Sequence, residues 1–260
     1  MGLDGASMTQ KNIAVVNQKG GVGKTTTAIS VAAQLASEKA SVLLLDLDPQ
    51  GNASSGLGLS KEKAPATAYD VLCQGLPLAS AVQETHVAQL FVIPSNANLA
   101  GAEVELVGKA KREFTLKEAL GAASYDYIII DCPPSLGLLT INALTAANYV
   151  LIPVQAEYYA LEGLSQLLNT IQAVKQSTNP QLELLGIVLT MFDKRNSLSE
   201  QVETEVKNYF GDTLFKSVIP RNVRLAEAPS YGRTIFEHDK WSKGAKAYKA
   251  LAREVRDRLK

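Results

Sequence analysis

Cysteine and histidine are scarce, with two of each in 260 residues. Cys73 and Cys132 lie far apart and match no metal-ligand spacing. They read as small buried residues of a reducing compartment, not as a disulfide framework or a zinc site. His86 and His238 are isolated and read as surface residues. No apolar run approaches the roughly 18 residues that a membrane span requires. The N-terminus lacks the charged-then-apolar pattern of an export signal, so the expected compartment is the cytoplasm. Repeats, low-complexity linkers, a helix-turn-helix and a zinc finger are all missing. There is also no net charge: 26 Lys and Arg balance 26 Asp and Glu. These absences argue against fibrous, disordered, secreted disulfide-rich and membrane-spanning classes.

What is present is an ordinary globular composition, 46% apolar and 20% charged, in a chain long enough for a well-buried core. Met1–Ser7 (MGLDGAS) reads as an appended leader, with Met8 a plausible native start, leaving residues 8–260 as a single domain. Short apolar, β-branched runs recur at Ile13–Asn17, Val42–Asp46, Leu90–Pro94, Tyr127–Asp131, Tyr149–Val154, Leu185–Thr190 and Lys216–Pro220. They do not alternate, which predicts strands buried on both faces. Helical patterns lie between them, near Thr25–Ser37, Leu138–Ala147, Leu161–Gln176, Ser199–Phe210 and Gly244–Leu259. The alternation predicts an α/β fold, a doubly wound, mostly parallel β-sheet flanked by helices. Residues 51–122 are less regular and predict short helices and loops.

The first strand runs into NQKGGVGKTTT, Asn17–Thr27. Strand, glycine-rich turn and helix start together are the context of a phosphate-binding loop. Gly20, Gly21, Val22 and Gly23 would turn backbone N–H groups onto phosphates, aided by the helix N-terminus. Lys24 would neutralise the β- and γ-phosphates, the Thr25 hydroxyl would ligate Mg²⁺, and Thr26 completes the motif. Lys19 is unexplained by that motif, which requires no charge at the mouth of the loop.

Two further segments end apolar strands in carboxylates. LLLDLDPQGNAS (Leu43–Ser54) carries Asp46 and Asp48, two apart, with Gln50 and Asn52 following. YIIIDCPPSLG (Tyr127–Gly137) ends in Asp131, and Pro133 and Pro134 stiffen its exit. Beyond them lie VQAEYYALEG (Val154–Gly163), LTMFDKR (Leu189–Arg195) and IPRNVRLAEAPSYG (Ile219–Gly232). From Arg221 to Lys260 there are 11 Lys and Arg against 5 Asp and Glu, an excess of six. That excess reads either as a solvated helix face or as a surface for an anionic partner.

KGGVGKTT resembles the deviant Walker A loop of the ParA/Soj/MinD family of P-loop ATPases, and the later segments resemble the ParA/Soj branch over Lys11–Lys260. The resemblance implies that Lys19 is the signature lysine. It would cross to a partner's phosphates in a nucleotide-dependent homodimer, so Lys19, Lys24 and Asp48 carry ATP hydrolysis. Asp48 would position the attacking water and Asp46 support the loop or metal shell. Asp131 would hold Mg²⁺ through water, with Thr25 and Asp48. Glu157 either bridges the dimer or caps a helix. Met191, Pro220, Arg221 and Asn222 would flank adenine, and the lack of an Asn-Lys-x-Asp motif favours ATP over GTP. Arg195 and Arg224 match DNA-binding arginines, and Arg233, Lys240, Lys243 and Lys246 would extend that surface to non-specific double-stranded DNA. The implied function is nucleoid-associated chromosome or plasmid partitioning, with release stimulated by a ParB-like centromere-binding protein. The rival is a MinD-like membrane-cycling ATPase. The terminal stripe Ala245, Tyr248, Ala252, Val255 and Leu259 speaks against it, reading as a helix packed on the sheet rather than on a membrane.

Overall fold

The computed structural model describes residues 10–157 and 160–260, and the side chains of 160–162 are left undescribed with the rest. The proposed leader and the start at Met8 lie outside the described residues. Seven strands form one sheet in the order β3-β4-β2-β5-β1-β6-β7. They are β1 (Lys11–Val15), β2 (Val42–Asp46), β3 (Gln83–Glu84), β4 (Leu90–Ile93), β5 (Tyr127–Asp131), β6 (Tyr149–Gln155) and β7 (Glu183–Thr190). Every pairing is parallel except β3 with β4.

The missing alternation in the strand sequences has a direct cause. Successive residues of a strand point to opposite faces, and here both faces are covered. Ala14, Leu43, Leu45, Ile128 and Ile130 enter one core, and Ile13, Val42, Leu44, Tyr127 and Ile129 enter the other. The second core is closed by helix α1 (Lys24–Ser37) and by the long C-terminal helix. In that C-terminal helix Tyr248, Ala252 and Val255 are buried to 1% exposure or less, so its apolar stripe is spent on the sheet side of the molecule. No helix among the described residues is long and apolar enough to cross a membrane.

One expected strand needs correction, and one observed strand was not expected. The two-residue edge strand β3 has no sequence signal, being too short for a period. Lys216–Pro220, expected as a strand, is not one. Beside β7 its pairing stops at the isolated bridge Phe192–Pro220 and the hydrogen bond from Ile219 N to Leu189 O at 2.8 Å, too little for a ladder. The Glu254 carboxylate takes the N–H groups of Lys216 and Ser217 at 2.9 and 3.0 Å, so these two donors are lost to any ladder.

Parallel packing puts the carboxyl ends of the central strands at one edge. Val15 is in register with Asp131, and Asp131 with Asp46. Ligands of open α/β sheets bind outside this edge.

Candidate functional site

The loop Val16–Gly23 leaves β1 and enters α1 at Lys24. Two of its glycines have left-handed backbones, Gly21 at φ 74° and Gly23 at φ 88°, a conformation that costs other residues energy. The loop is tied down from both sides. Asn17 Nδ2 donates to Pro153 O at 2.7 Å, and Asn17 Oδ1 accepts from Lys19 N at 2.9 Å. Thr190 Oγ1, at the end of β7, donates to Val22 O at 2.8 Å. Thr27 in α1 shares a 3.1 Å hydrogen bond with Tyr248 OH. None of these clamps was read from the sequence. Each joins residues more than 130 positions apart, apart from the short Asn17–Lys19 turn.

The two lysines occupy different surroundings. Lys24 is 6% exposed, and its Nζ donates to Lys19 O at 2.9 Å across the loop. Burial lowers its pKa, opposed by the charges of Asp131, Cys132 and Asp48. Lys19 turns outward. Its side chain is half exposed and ion-paired with Glu157. Glu157 therefore meets the signature-position lysine of its own chain.

Three carboxylates face this loop from the strand ends. Asp46 is fully buried and accepts from Ser54 Oγ at 2.7 Å, Ser54 N at 2.8 Å and Asp48 N at 3.2 Å. Burial raises its pKa to about 6 against those donors. It thereby fastens the end of β2 to α2 (Asn52–Gly56), with Asp48 held in between. Asp48 is 8% exposed and accepts from Gln50 N at 2.9 Å. Ser54 was not singled out in the sequence, because a serine two turns past a strand carries no signal of its own. Asp46→Ala strands the buried Ser54 and Asp48 N–H groups, each costing about 1–3 kcal/mol. A thermal melt should show clear destabilisation, and an unchanged midpoint would remove Asp46 from this supporting role.

Asp131 differs from both. It is fully buried and neither carboxylate oxygen has a hydrogen-bond partner of ordinary geometry. Burial and the neighbouring Asp46 raise its pKa well above the carboxylate range, while the Thr25 hydroxyl and Lys24 pull it back. An orphaned buried carboxylate beside a hydroxyl at a helix start suits a hard divalent cation. No cluster of three His, Cys, Asp or Glu forms a self-sufficient metal site among the described residues. A cation here would draw its remaining ligands from phosphate and water, as Mg²⁺ does.

Beyond the loop a cavity of about 320 Å³ is lined by Gly23, Thr26, Met191, Pro220, Arg221, Asn222 and Tyr248. All four residues expected around a base are in this wall. Met191 has φ 51°, and Asn222 Oδ1 accepts from Arg224 N at 2.9 Å, so its oxygen is engaged in capping the following helix. A roomier groove of about 790 Å³ lies at the opposite end of the sheet, beside Ser41 and Tyr125, and has none of the loop's chemistry.

The six expected basic residues are all exposed. Arg195 is held by Asp193 at 2.8 Å, and Arg224 by Glu227 at 2.8 Å with Asp239 at 3.7 Å. Exposed pairs of this kind contribute about 0–1 kcal/mol, so a polyphosphate backbone can compete for both arginines. Lys240 and Lys246 line a common cavity, whereas Arg195 sits apart, beyond β7. His86 is exposed as expected. His238 is more enclosed, its side chain 14% exposed against Glu227.

A profile of the family described as "AAA domain" matches residues 10–184. The chain is 55% identical over 248 residues to the chromosome partitioning protein ParA of Myxococcus xanthus, covering 95% of this chain and 88% of that protein. It is 56% identical over 247 residues to the sporulation initiation inhibitor protein Soj of Bacillus subtilis, covering 94% and 98%. Among solved structures, cobyrinic acid a,c-diamide synthase from Mycobacterium smegmatis with ADP and magnesium superposes with TM-score 0.83 at 40% identity, covering 94% and 93%. The septum site-determining protein MinD with Mg-ADP from Pyrococcus horikoshii gives TM-score 0.77 at 25% identity, covering 95% and 96%.

Proposed function

From this chain's membership of the ParA/Soj family of chromosome-partitioning ATPases, we propose a DNA-on, DNA-off cycle driven by dimerisation on ATP. The chain is a partitioning ATPase using ATP and Mg²⁺. In the proposed cycle Gly20–Thr26 cradle the phosphates, Lys24 carries their charge, and Met191, Pro220, Arg221 and Asn222 enclose the base. Thr25 and Asp131 would hold Mg²⁺, with Asp48 nearby, and the ion would supply positive charge against the anionic transferring phosphoryl group.

The observation that carries the dimer is the contrast between the lysines. Lys24 is buried in its own loop, while Lys19 points out of it, half exposed and paired with Glu157. A cation aimed away from its own phosphate site can serve a neighbour's, so hydrolysis would depend on two chains meeting. Asp48, fixed by Gln50 N and coupled to Asp46, is suited to orient the attacking water. Dimerisation also doubles the basic surface. Two weak, sequence-independent phosphate-binding faces then act by avidity, which converts nucleotide state into DNA affinity. A ParB-like centromere-bound partner would stimulate hydrolysis and release, giving a nucleoid-associated protein.

The test is binding to random-sequence duplex DNA without nucleotide, with ADP, with ATP and with a non-hydrolysable analogue, at two salt concentrations. Binding with triphosphates only, weakened by salt, is the expected result. Absence of binding in every state sinks the reading, and nucleotide-dependent binding to anionic liposomes would favour the MinD-like alternative. Arg224→Ala should still dimerise on ATP yet lose most DNA affinity. A gel shift equal to the parent's would remove Arg224 from the surface.

A further inference from the structure

The single tryptophan of the chain, Trp241, is 73% exposed. It stands in the turn between the short helix α3 (Ile235–Asp239) and the C-terminal helix α4 (Lys243–Arg258). Its backbone is well anchored. Trp241 N donates to Asp239 Oδ1 at 3.1 Å, Ser242 N to Asp239 O at 3.2 Å, and Ser242 Oγ accepts from Ala245 N to cap α4. The fold thus presents a large apolar ring to water from a fixed turn. Isolated surface apolar residues need no explanation, but this one has a charged setting. The Lys240 ammonium lies 5.3 Å from the ring centroid, and exposed Lys243 follows. Asp239, which holds the turn, also faces Arg224 Nε at 3.7 Å. Trp241 and Arg224 therefore share one anchor on one surface.

We propose that Trp241 is the apolar contact of the DNA-binding surface, packing its ring on deoxyribose and base edges while Lys240 and Lys243 take the flanking phosphates. This rests on the DNA reading above and adds to it a residue that phosphate chemistry alone does not require. Charge selects the occupant: residues 221–260 carry 11 Lys and Arg against 5 Asp and Glu. A membrane would need an apolar helix face beside the ring, and the stripe of α4 is buried instead. A ring set between cations suits a polyanion whose backbone exposes apolar sugar between its charges.

The sole tryptophan makes the test direct. The full chain, loaded with Mg²⁺ and a non-hydrolysable ATP analogue, is titrated with fluorescently labelled random-sequence duplex. Tryptophan emission and duplex anisotropy are read together. Emission should change along the same isotherm as anisotropy. Trp241→Ala should weaken binding by roughly fivefold or more, the loss of partial burial of the ring. The slope of log affinity against log salt should stay unchanged, since no charge is removed, whereas Lys240→Ala should lower that slope by about one. Trp241→Phe should restore most of the affinity. If anisotropy reports binding while emission is flat, or Trp241→Ala binds like the parent, the inference fails and the DNA reading stands. If no nucleotide state binds duplex, both fail. Emission that responds to phosphatidylglycerol vesicles but not to duplex also overturns the inference.

Discussion

Lys24→Ala should weaken ATP binding severely. Lys24 is 6% exposed, its ammonium donates to the Lys19 carbonyl, and it sits among Asp131, Cys132 and Asp48. It has given up water to occupy the place where β- and γ-phosphate charge would arrive. Exchanging a single carbonyl for those oxygens strengthens its interactions without further desolvation. Truncating one partner of a buried, hydrogen-bonded charge pair costs about 2–5 kcal/mol, which is roughly 30- to several-thousand-fold in affinity. Isothermal calorimetry with Mg-ATP measures this directly. A thermal melt of the nucleotide-free variant separates lost binding from lost folding, because removing Lys24 also deprives Asp131 of a counter-charge. A folded variant that retains parental ATP affinity would refute the assignment.

Asp48→Ala should leave ATP binding near parental while hydrolysis falls by about 10²–10⁴, the span typical of a lost proton-handling group. With hydrolysis blocked, the ATP dimer should accumulate on a sizing column. The alanine variant also loses the acceptor for Gln50 N, so part of any effect is a loosened turn. Asp48→Asn isolates the chemistry, since it keeps an acceptor of the same shape and removes the charge. Single-turnover hydrolysis equal to the parent's in Asp48→Asn would take Asp48 out of catalysis. Hydrolysis lost in both variants, with dimers accumulating in ATP, would fix its role as charge-dependent.

The partner chemistry also places a limit on what relatives imply. The 40% identical diamide synthase and the MinD structure share this fold with differently named activities. A P-loop scaffold hosts many functions. The partitioning relatives are the more similar in sequence, at 55–56% identity over nearly the whole chain.

Much of this was legible from residues alone, for local reasons. The left-handed backbones at Gly21 and Gly23 favour glycine, so the phosphate loop announces itself as a pattern. Burial on both faces leaves Ile13–Val15 of β1, and β2 and β5 up to their terminal aspartates, as unbroken apolar runs. The terminal helix showed its buried stripe because 3.6-residue spacing is a property of the chain. The strand order could not be read this way, although it alone brings Val15, Asp46 and Asp131 to one edge in register. Nor could the rejection of Lys216–Pro220 as a strand, since its competitor for hydrogen bonds, Glu254, lies almost 40 residues away. The clamps from Asn17 to Pro153, Thr190 to Val22 and Tyr248 to Thr27 belong to the same class. Sequence determined the phosphate loop, the central strands and the stripe of the terminal helix, because backbone geometry and periodicity are local. Tertiary structure decided which carboxylate is hydrogen-bonded and which is orphaned, and which lysine turns inward, because burial and partners are set by segments the chain brings together from far away.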